Sequence, residues 1–474
     1  MRVLLNNSFS FLLILSIMVF FSCSKDSDEP EQTEKNVTTQ DLSITMDENP
    51  TNGQVIGTLS GTTNKGTVSF SIIEQSPQNS FSIDAVNGEL KVADASVFNF
   101  EINPTITGMI KVANGNLFEI AAVTINLNDL EEDRVYEGDV ILTTQIEVND
   151  FGEMGFTHIT GGLLIGSYLY DDIVDLSPLL NIERIGQTLQ ISDCSSLTTT
   201  KGLKNISYIG GNIMINDNPM LEAIPDLRKL TILQAGISIG GSMNLMDISG
   251  LSQVTKIKGD FQLYDTSLTN LNAFKNLKTI EGRFLIMGNL YLVNLDSLLN
   301  LNDIGSKITI SFNEALTNLD GLTSVTATIP EVIIYQNTRL ENINGLQNIK
   351  FTEQIEITNN FSLINLNGLS RATSPSRIDI INNRSLISLS GLNNITAIGE
   401  GGFYIEKNYL LKNLNNLDRI SIIEGPLSIE RNILLKDFCA LNDLITEGSF
   451  GTYLVLRNLY NPTIQDIIDG NCNI

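Results

Sequence analysis

His158 is the one histidine in this chain of 474 residues, so histidine-based acid–base or nucleophilic chemistry has a single possible centre. It stands just ahead of a repeating region, where it reads as a capping or surface residue. The sequence holds no zinc-type spacing of Cys and His, no P-loop and no G-x-S-x-G nucleophile turn. With 54 acidic residues, carboxylate pairs of the kind that hydrolyse glycosides occur by number alone, so no pair is informative. Trp, the strongest sugar-stacking residue, is absent. A formal charge of −25 also argues against nucleic acid, because phosphate binding needs a basic stripe. Binding is therefore the expected business of this chain, and no catalytic residue is assigned.

Four cysteines remain. Cys439 and Cys472 lie close to the C-terminus, and an oxidising exterior permits them to pair. Such a bridge would close the end of the repeating region. Cys194 falls in a column of small polar residues described next, and Cys23 follows an apolar leader.

Short apolar strands end on Ile191, Ile215, Ile239, Leu263, Ile286, Ile310, Ile334, Ile357, Ile380, Ile405 and Ile429, spaced 23 to 25 residues apart. A fixed period of this size predicts a solenoid, whose units bury their apolar sides only by stacking on one another. Within Lys307–Asn313, Ile308 and Ile310 alternate with Thr309 and Ser311, the period of a half-buried strand. Three positions after each strand end stands a polar residue: Asn218, Asn289, Asn313, Asn337, Asn360, Asn383, Asn408 and Asn432, with Cys194, Ser242 and Thr266 as substitutes. A chain that bends inward leaves backbone N–H and C=O groups away from water, and an amide side chain can satisfy both. This column is read as structural. Downstream leucines such as Leu340, Leu363, Leu366, Leu386 and Leu389 fill the interior. A Gly-Leu step then recurs at Gly202, Gly250, Gly321, Gly345, Gly368 and Gly391, where glycine suits a turn of positive φ. The connections are rich in Asn and Thr and too short for long helices, so strands, turns and brief helical pieces are expected.

The unit I-x-G-x-L-x-I-x-x-N-x-x-L-x-x-L-x-G-L-x-x-L resembles the leucine-rich repeats of receptor L domains, a resemblance that covers about 340 residues. It implies a mainly β, right-handed β-helical solenoid. Gly138–Leu142, followed by Phe151 and Ile159-Thr160-Gly161, is similar to the strand that opens such solenoids. The family binds proteins, hormones and surfaces of many kinds, and fold alone does not name a ligand.

Residues 1–22 read as a secretory signal peptide, with Arg2 and an apolar run from Phe11 to Phe21 too short to span a bilayer comfortably. Cys23 stands where a lipoprotein signal is cleaved and acylated, with Phe20 in place of the usual Leu. Lys25, Asp26, Asp28 and Glu29 resemble the acidic tag that sends some Gram-negative lipoproteins to the outer face of the cell. The expectation is an outer-membrane, lipid-anchored protein, and no other segment is apolar enough to cross a membrane. Residues 23–40 form a polar tether.

Between 41 and 130 the pattern changes to alternating strands such as Val55–Leu59 and Val123–Leu127, which predicts a small β-sandwich. Asp47-Glu48-Asn49-Pro50, Phe81–Asp84 with Gly88-Glu89-Leu90, and Asn126-Leu127-Asn128-Asp129 make it similar to a single cadherin-like repeat. That resemblance implies Ca²⁺ as a cofactor, with Glu48, Glu101, Asn128 and Asp129 as matching ligands. Asn99, Asn114 and Leu130 depart from the family's Asp, Asp and Asn, and calcium affinity falls as carboxylates are lost. A spacer without metal is the other reading. The remaining segments are a linker and solenoid N-cap at 131–158, the solenoid at 159–438, and a C-terminal cap at 439–474, where Pro462 and Gly470 suit the start and end of a short helix.

On the solenoid, residues between and just after the buried strand positions face outward. Tyr264, Leu285, Met287, Ile333 and Tyr335 then form an apolar patch, Tyr404 lies further along, and Glu356, Asp379, Glu406 and Glu430 form an acidic margin. Apolar patches with polar rims often mark partner sites. The sequence therefore reads as a surface lipoprotein for adhesion or recognition, binding protein or glycan on this face. The alternative is a structural envelope protein with no external ligand.

Overall fold

A computed structural model describes residues 34–100, 102–130, 133–167, 169 and 172–474. Cys23, the signal segment and Glu101 lie outside the described residues. The protein is mainly β, and it divides into two compact units at the 132/133 boundary.

The first unit is a small sandwich. One sheet orders Leu42–Asp47, Leu117–Asn128, Thr105–Asn114 and Ser69–Ser76, and the other orders Val55–Thr58, Glu89–Val92 and Phe81–Ile83. Strict alternation explains the pairing: Ile106, Ile110 and Val112 on one strand and Ala121, Val123, Ile125 and Leu127 on its neighbour all point inward. Phe70, Phe81, Phe98 and Leu90 fill the space between the sheets.

The second unit is a solenoid. Fourteen strands, from Val140–Leu142 to Tyr453–Leu456, make one parallel sheet in which each strand pairs with that of the next coil. Ile286, Ile310, Ile334, Ile357, Ile380, Ile405 and Ile429 are direct register partners. Two-residue strands such as Lys256–Ile257 and Thr279–Ile280 form shorter parallel rows. 3-10 turns such as Asp320–Leu322, Asn344–Leu346 and Asn367–Leu369 connect the coils. In one coil Ile308, Ile310, Leu316, Leu319, Leu322, Val325 and Ile329 are all fully buried. Each such side chain stabilises by about 1.5–3 kcal/mol, but only while both neighbouring coils are stacked on it.

The polar column forms a hydrogen-bond ladder, from Cys194 to Ser242 and again from Thr266 onward. Asn337 Nδ2 donates to Ile310 O (2.8 Å) of the preceding coil and to its own Tyr335 O (3.3 Å), while its Oδ1 accepts from Asn313 N (3.1 Å). Asn360, Asn383, Asn408 and Asn432 repeat the clamp on Ile334, Ile357, Ile380 and Ile405. Cys194 N donates to Asn218 Oδ1, Ser242 Oγ accepts from Asn218 N, and Thr266 Oγ1 donates to Asn289 Oδ1. The ladder runs beyond Asn432: Asn458 clamps Ile429 O and Asn461 Oδ1 receives Asn458 N. The segment after 438 thus contributes one more coil strand before the end closes. Val455, the register partner of Ile429, with Asn three positions later was the available signal.

The glycine column has a different cause from the one expected. Only Gly202 and Gly391 of the six have positive φ. At all six a Cβ would collide with a carbonyl oxygen of the preceding coil, for example Leu319 O at Gly345 and Leu295 O at Gly321. Close backbone approach, rather than a left-handed turn, excludes a side chain there.

Both ends of the solenoid are covered. The helix Gln145–Glu153, opened by a Thr144/Glu147 capping box, buries Val148 and Phe151 at the N-terminal end. At the other end Cys439 and Cys472 form a disulfide with Cα atoms 4.8 Å apart. The last helix runs Ile464–Ile468 with Thr463, not Pro462, as its cap, and Gly470 follows at φ 83°. Among the described residues no helix is long and apolar enough to cross a membrane.

Two outcomes follow from this packing. Asn337→Ala removes the acceptor of Asn313 N–H and the side-chain donor to Ile310 O, while Tyr335 O keeps the Phe312 N–H, and should lower unfolding stability in urea by about 2 kcal/mol or more; a loss under about 0.5 kcal/mol would mean that water or relaxation replaces the ladder. Cys439→Ser with Cys472→Ser opens a bridge of sequence separation 33 and should lower stability by about 3–4 kcal/mol, with amide exchange rising first in the final coils.

Candidate functional site

Strand register turns three outward positions per coil into three columns. The middle column reads Gln262, Leu285, Thr309, Ile333, Glu356, Asp379 and Tyr404 from coil to coil. Beside it run Tyr264, Met287, Ser311, Tyr335, Thr358, Ile381, Glu406 and Glu430. The expected patch residues Tyr264, Leu285, Met287, Ile333 and Tyr335 therefore share one face. They are half-buried rather than exposed, because residues in register about 4.8 Å apart cover one another's flanks. Tyr264 also lies against Gly240, where a Cβ would strike its ring. Burial raises the Tyr264 phenol above its ordinary range.

The acidic margin differs from expectation at one member. Asp379 is 4% exposed, and Arg377 grips it with two bonds of 2.7 and 3.0 Å. Arg377 in turn stacks 4.6 Å over the Tyr404 ring. Asp379 is thus an internal counter-ion rather than part of an exposed rim, since a carboxylate so far from water needs a partner. Arg377 lies two residues away on the same strand, in a third column with Lys307 and Glu331, themselves ion-paired at 2.7 Å.

Glu356 and Glu406 behave differently. Burial, then the neighbouring Asp379 charge, raises the Glu356 pKa against the pull of Arg377 and Lys307. Burial, then Glu430, raises that of Glu406 against Lys407 and Arg431.

Phe312 was not expected on this face. It is 40% exposed, holds φ at +58°, and meets Tyr335 edge-on at 5.1 Å. The same position, just before the ladder residue, is left-handed in the other coils too, and holds Asp193, Asp217, Gly241, Asp265, Gly288, Gln336, Asn359, Asn382, Lys407 and Arg431. Asp and Asn tolerate that conformation, whereas a bulky ring does so at a cost in strain. The one aromatic residue in a column otherwise of polar residues and glycine was the signal in the sequence.

In the first unit, Glu48 is 2% exposed, and its two oxygens accept the backbone N–H groups of Phe100 and Leu130, both at 2.7 Å. Asn128 donates to Asp47 at 2.8 Å, and Asp129 is exposed. Asn114 is buried and bonds Thr63 and Lys65 O. Among the described residues no three His, Cys, Asp or Glu side chains are grouped to hold a metal. As arranged, Glu48 ties strand ends together through backbone N–H groups, and Glu101, the fourth expected ligand, lies outside the described residues. His158 Nδ1 lies 2.9 Å from Thr157 Oγ1 and 3.2 Å from Asp133.

The two glutamates generate a pH test. Each holds a proton more tightly in the folded chain than in the unfolded one, so each opposes folding above its folded pKa and ceases to do so below the ordinary value of 4.5. Glu356→Gln and Glu406→Gln should each raise the melting temperature near neutrality, and the gain should vanish as pH falls below about 4.5. A gain equal at all pH values would show that charge is not the cause.

Comparison with known proteins adds the following. The receptor L domain family model matches residues 231–326, a stretch that includes Tyr264, Leu285, Met287 and Phe312. No curated protein matches the chain. Among solved structures, the human Desmocollin-1 ectodomain is 20% identical over 23% of this chain and 24% of that one, with TM-score 0.19. Protocadherin Gamma B2 extracellular cadherin domains 3-6 are 15% identical over 23% and 32%, also at 0.19. The Protocadherin GammaB4 extracellular domain is 17% identical over 23% and 20%, at 0.18. The matches cover less than a third of each of those chains, and TM-scores so low carry no argument about fold or partners. The chain thus carries a stretch similar to a receptor L domain within a longer solenoid of the same repeat.

Proposed function

We propose that this protein is a lipid-anchored recognition or adhesion protein of the outer membrane, exposed at the cell surface, whose solenoid face binds protein or glycan without turnover. The observation that carries the reading is the in-register face itself. It places aromatic and aliphatic side chains from Tyr264 to Tyr335 beside half-buried carboxylates at Glu356 and Glu406, on a rigid parallel sheet. The two apolar groups flank the Thr309 and Ser311 coil, and apolar surface rimmed by charge is what partner sites present. A stacked solenoid holds that surface without rearrangement, which lowers the entropy lost on binding. The Cys439–Cys472 bridge suits an oxidising compartment, in keeping with export through the signal segment and acylation of Cys23. The sandwich serves as a spacer between anchor and solenoid. Its Glu48 carboxylate acts on backbone amides, and calcium is not required for its role.

The test uses intact cells. External protease should remove the protein from unbroken cells, and Cys23→Ser should move it from the membrane fraction to the soluble fraction. Protection until the cells are broken would instead favour a structural envelope component, and unchanged membrane association of Cys23→Ser would refute lipid anchoring.

A further inference from the structure

We infer that the partner is a polypeptide, docked as an extended segment that places an aromatic or long aliphatic side chain against Phe312 and Tyr335 and a lysine or arginine about four residues away against Glu406. The inference rests on the recognition reading above and deepens it by naming the ligand class. Its first support is spacing. From Tyr335 the column passes through Thr358 and Ile381 to Glu406, three strand steps of about 4.8 Å each, or roughly 14 Å. An extended chain rising about 3.3 Å per residue covers that distance in about four residues.

The second support is charge. Arg377 already matches Asp379, so that acid asks nothing of a ligand. Among the described residues neither Glu356 nor Glu406 belongs to an ion pair, and Glu430, which accepts from Ser428, lies next to Glu406 in the column. Lys407 and Arg431 stand near Glu406 without relieving its burial. A cation brought by a partner would. The third support is Phe312, an aromatic ring 40% exposed beside Tyr335 at a left-handed position where the other coils carry Asp, Asn, Gly or a long polar side chain such as Gln336, Lys407 and Arg431. A neutral or acidic glycan supplies no cation for the glutamates, whereas a peptide supplies both groups at a fixed spacing.

The experiment immobilises the full chain in detergent and presents synthetic dodecapeptides carrying one Phe or Leu and one Lys, separated by three to five residues. Control sets replace Lys with Glu, widen the spacing to nine residues, or omit the apolar residue, and neutral and acidic oligosaccharides are run in parallel. The first set should bind at least about tenfold more tightly than the controls, and more weakly as salt rises. Glu406→Gln should erase the preference for Lys over Glu. Phe312→Asn should weaken binding about tenfold while leaving the melting temperature within about 2 °C, because Asn suits the left-handed backbone. Equal binding of Lys and Glu peptides, no binding of any peptide, or oligosaccharide binding abolished by Phe312→Asn would overturn the polypeptide inference and spare the face. A ligand of any class indifferent to Phe312→Asn, Tyr335→Ser and Glu406→Gln would overturn the face itself.

Discussion

Every coil of the solenoid turns its backbone into a dry interior, and each bend there must find partners for its N–H and C=O groups. The asparagine ladder meets that demand by joining each bend to the neighbouring coil as well as to itself. Asn360 clamps Ile334 O and receives Asn337 N, so a coil is complete only when the next one is in place. The same dependence governs the apolar interior, where Ile310, Ile334 and Ile357 are buried by one another. Hydrogen bonding and hydrophobic burial therefore select the same register. A shift of one residue would turn every isoleucine outward and every outward side chain into the core.

That register also builds the candidate site. Because strands stack with no offset, residues about 24 positions apart become neighbours, and single substitutions accumulate into stripes. The face is a by-product of the constraint that holds the core. Its rigidity comes from the ladder on one side and from the glycine column on the other, where Gly321, Gly345 and Gly368 let coils approach until only hydrogen fits between them. The ends need separate solutions, a capped helix with Phe151 at one and the Cys439–Cys472 bridge at the other.

Electrostatics divides the acidic margin into two kinds of carboxylate. Asp379 is buried with its own counter-ion and belongs to the structure. Glu356 and Glu406 are half-buried beside other acids and hold unrelieved charge. Phe312 belongs with the second kind, since it puts an exposed ring where the other coils carry polar residues or glycine. Departures from local consistency of this sort concentrate at functional positions, because nothing in the packing requires them.

The sequence by itself determined the period, the strand positions, the ladder from Cys194 to Asn432, the sandwich before it and the order of side chains along the face. These are readable because burial alternates with period two inside a coil and repeats with a fixed interval between coils. Tertiary structure decided the rest. That Asp379 is buried follows from how Arg377, two residues away on the same strand, folds over it and onto the Tyr404 ring of the next coil, an arrangement that no period encodes. That Gly345 is glycine follows from Leu319 O in another coil, and not from its own φ. Asn458 and Asn461 extend the ladder past the recognisable repeat, and Glu48 uses its carboxylate on Phe100 and Leu130 far along the chain. Each of these involves a group distant in sequence, Tyr404 in the case of Asp379 and its arginine, and only the folded chain brings such groups into contact.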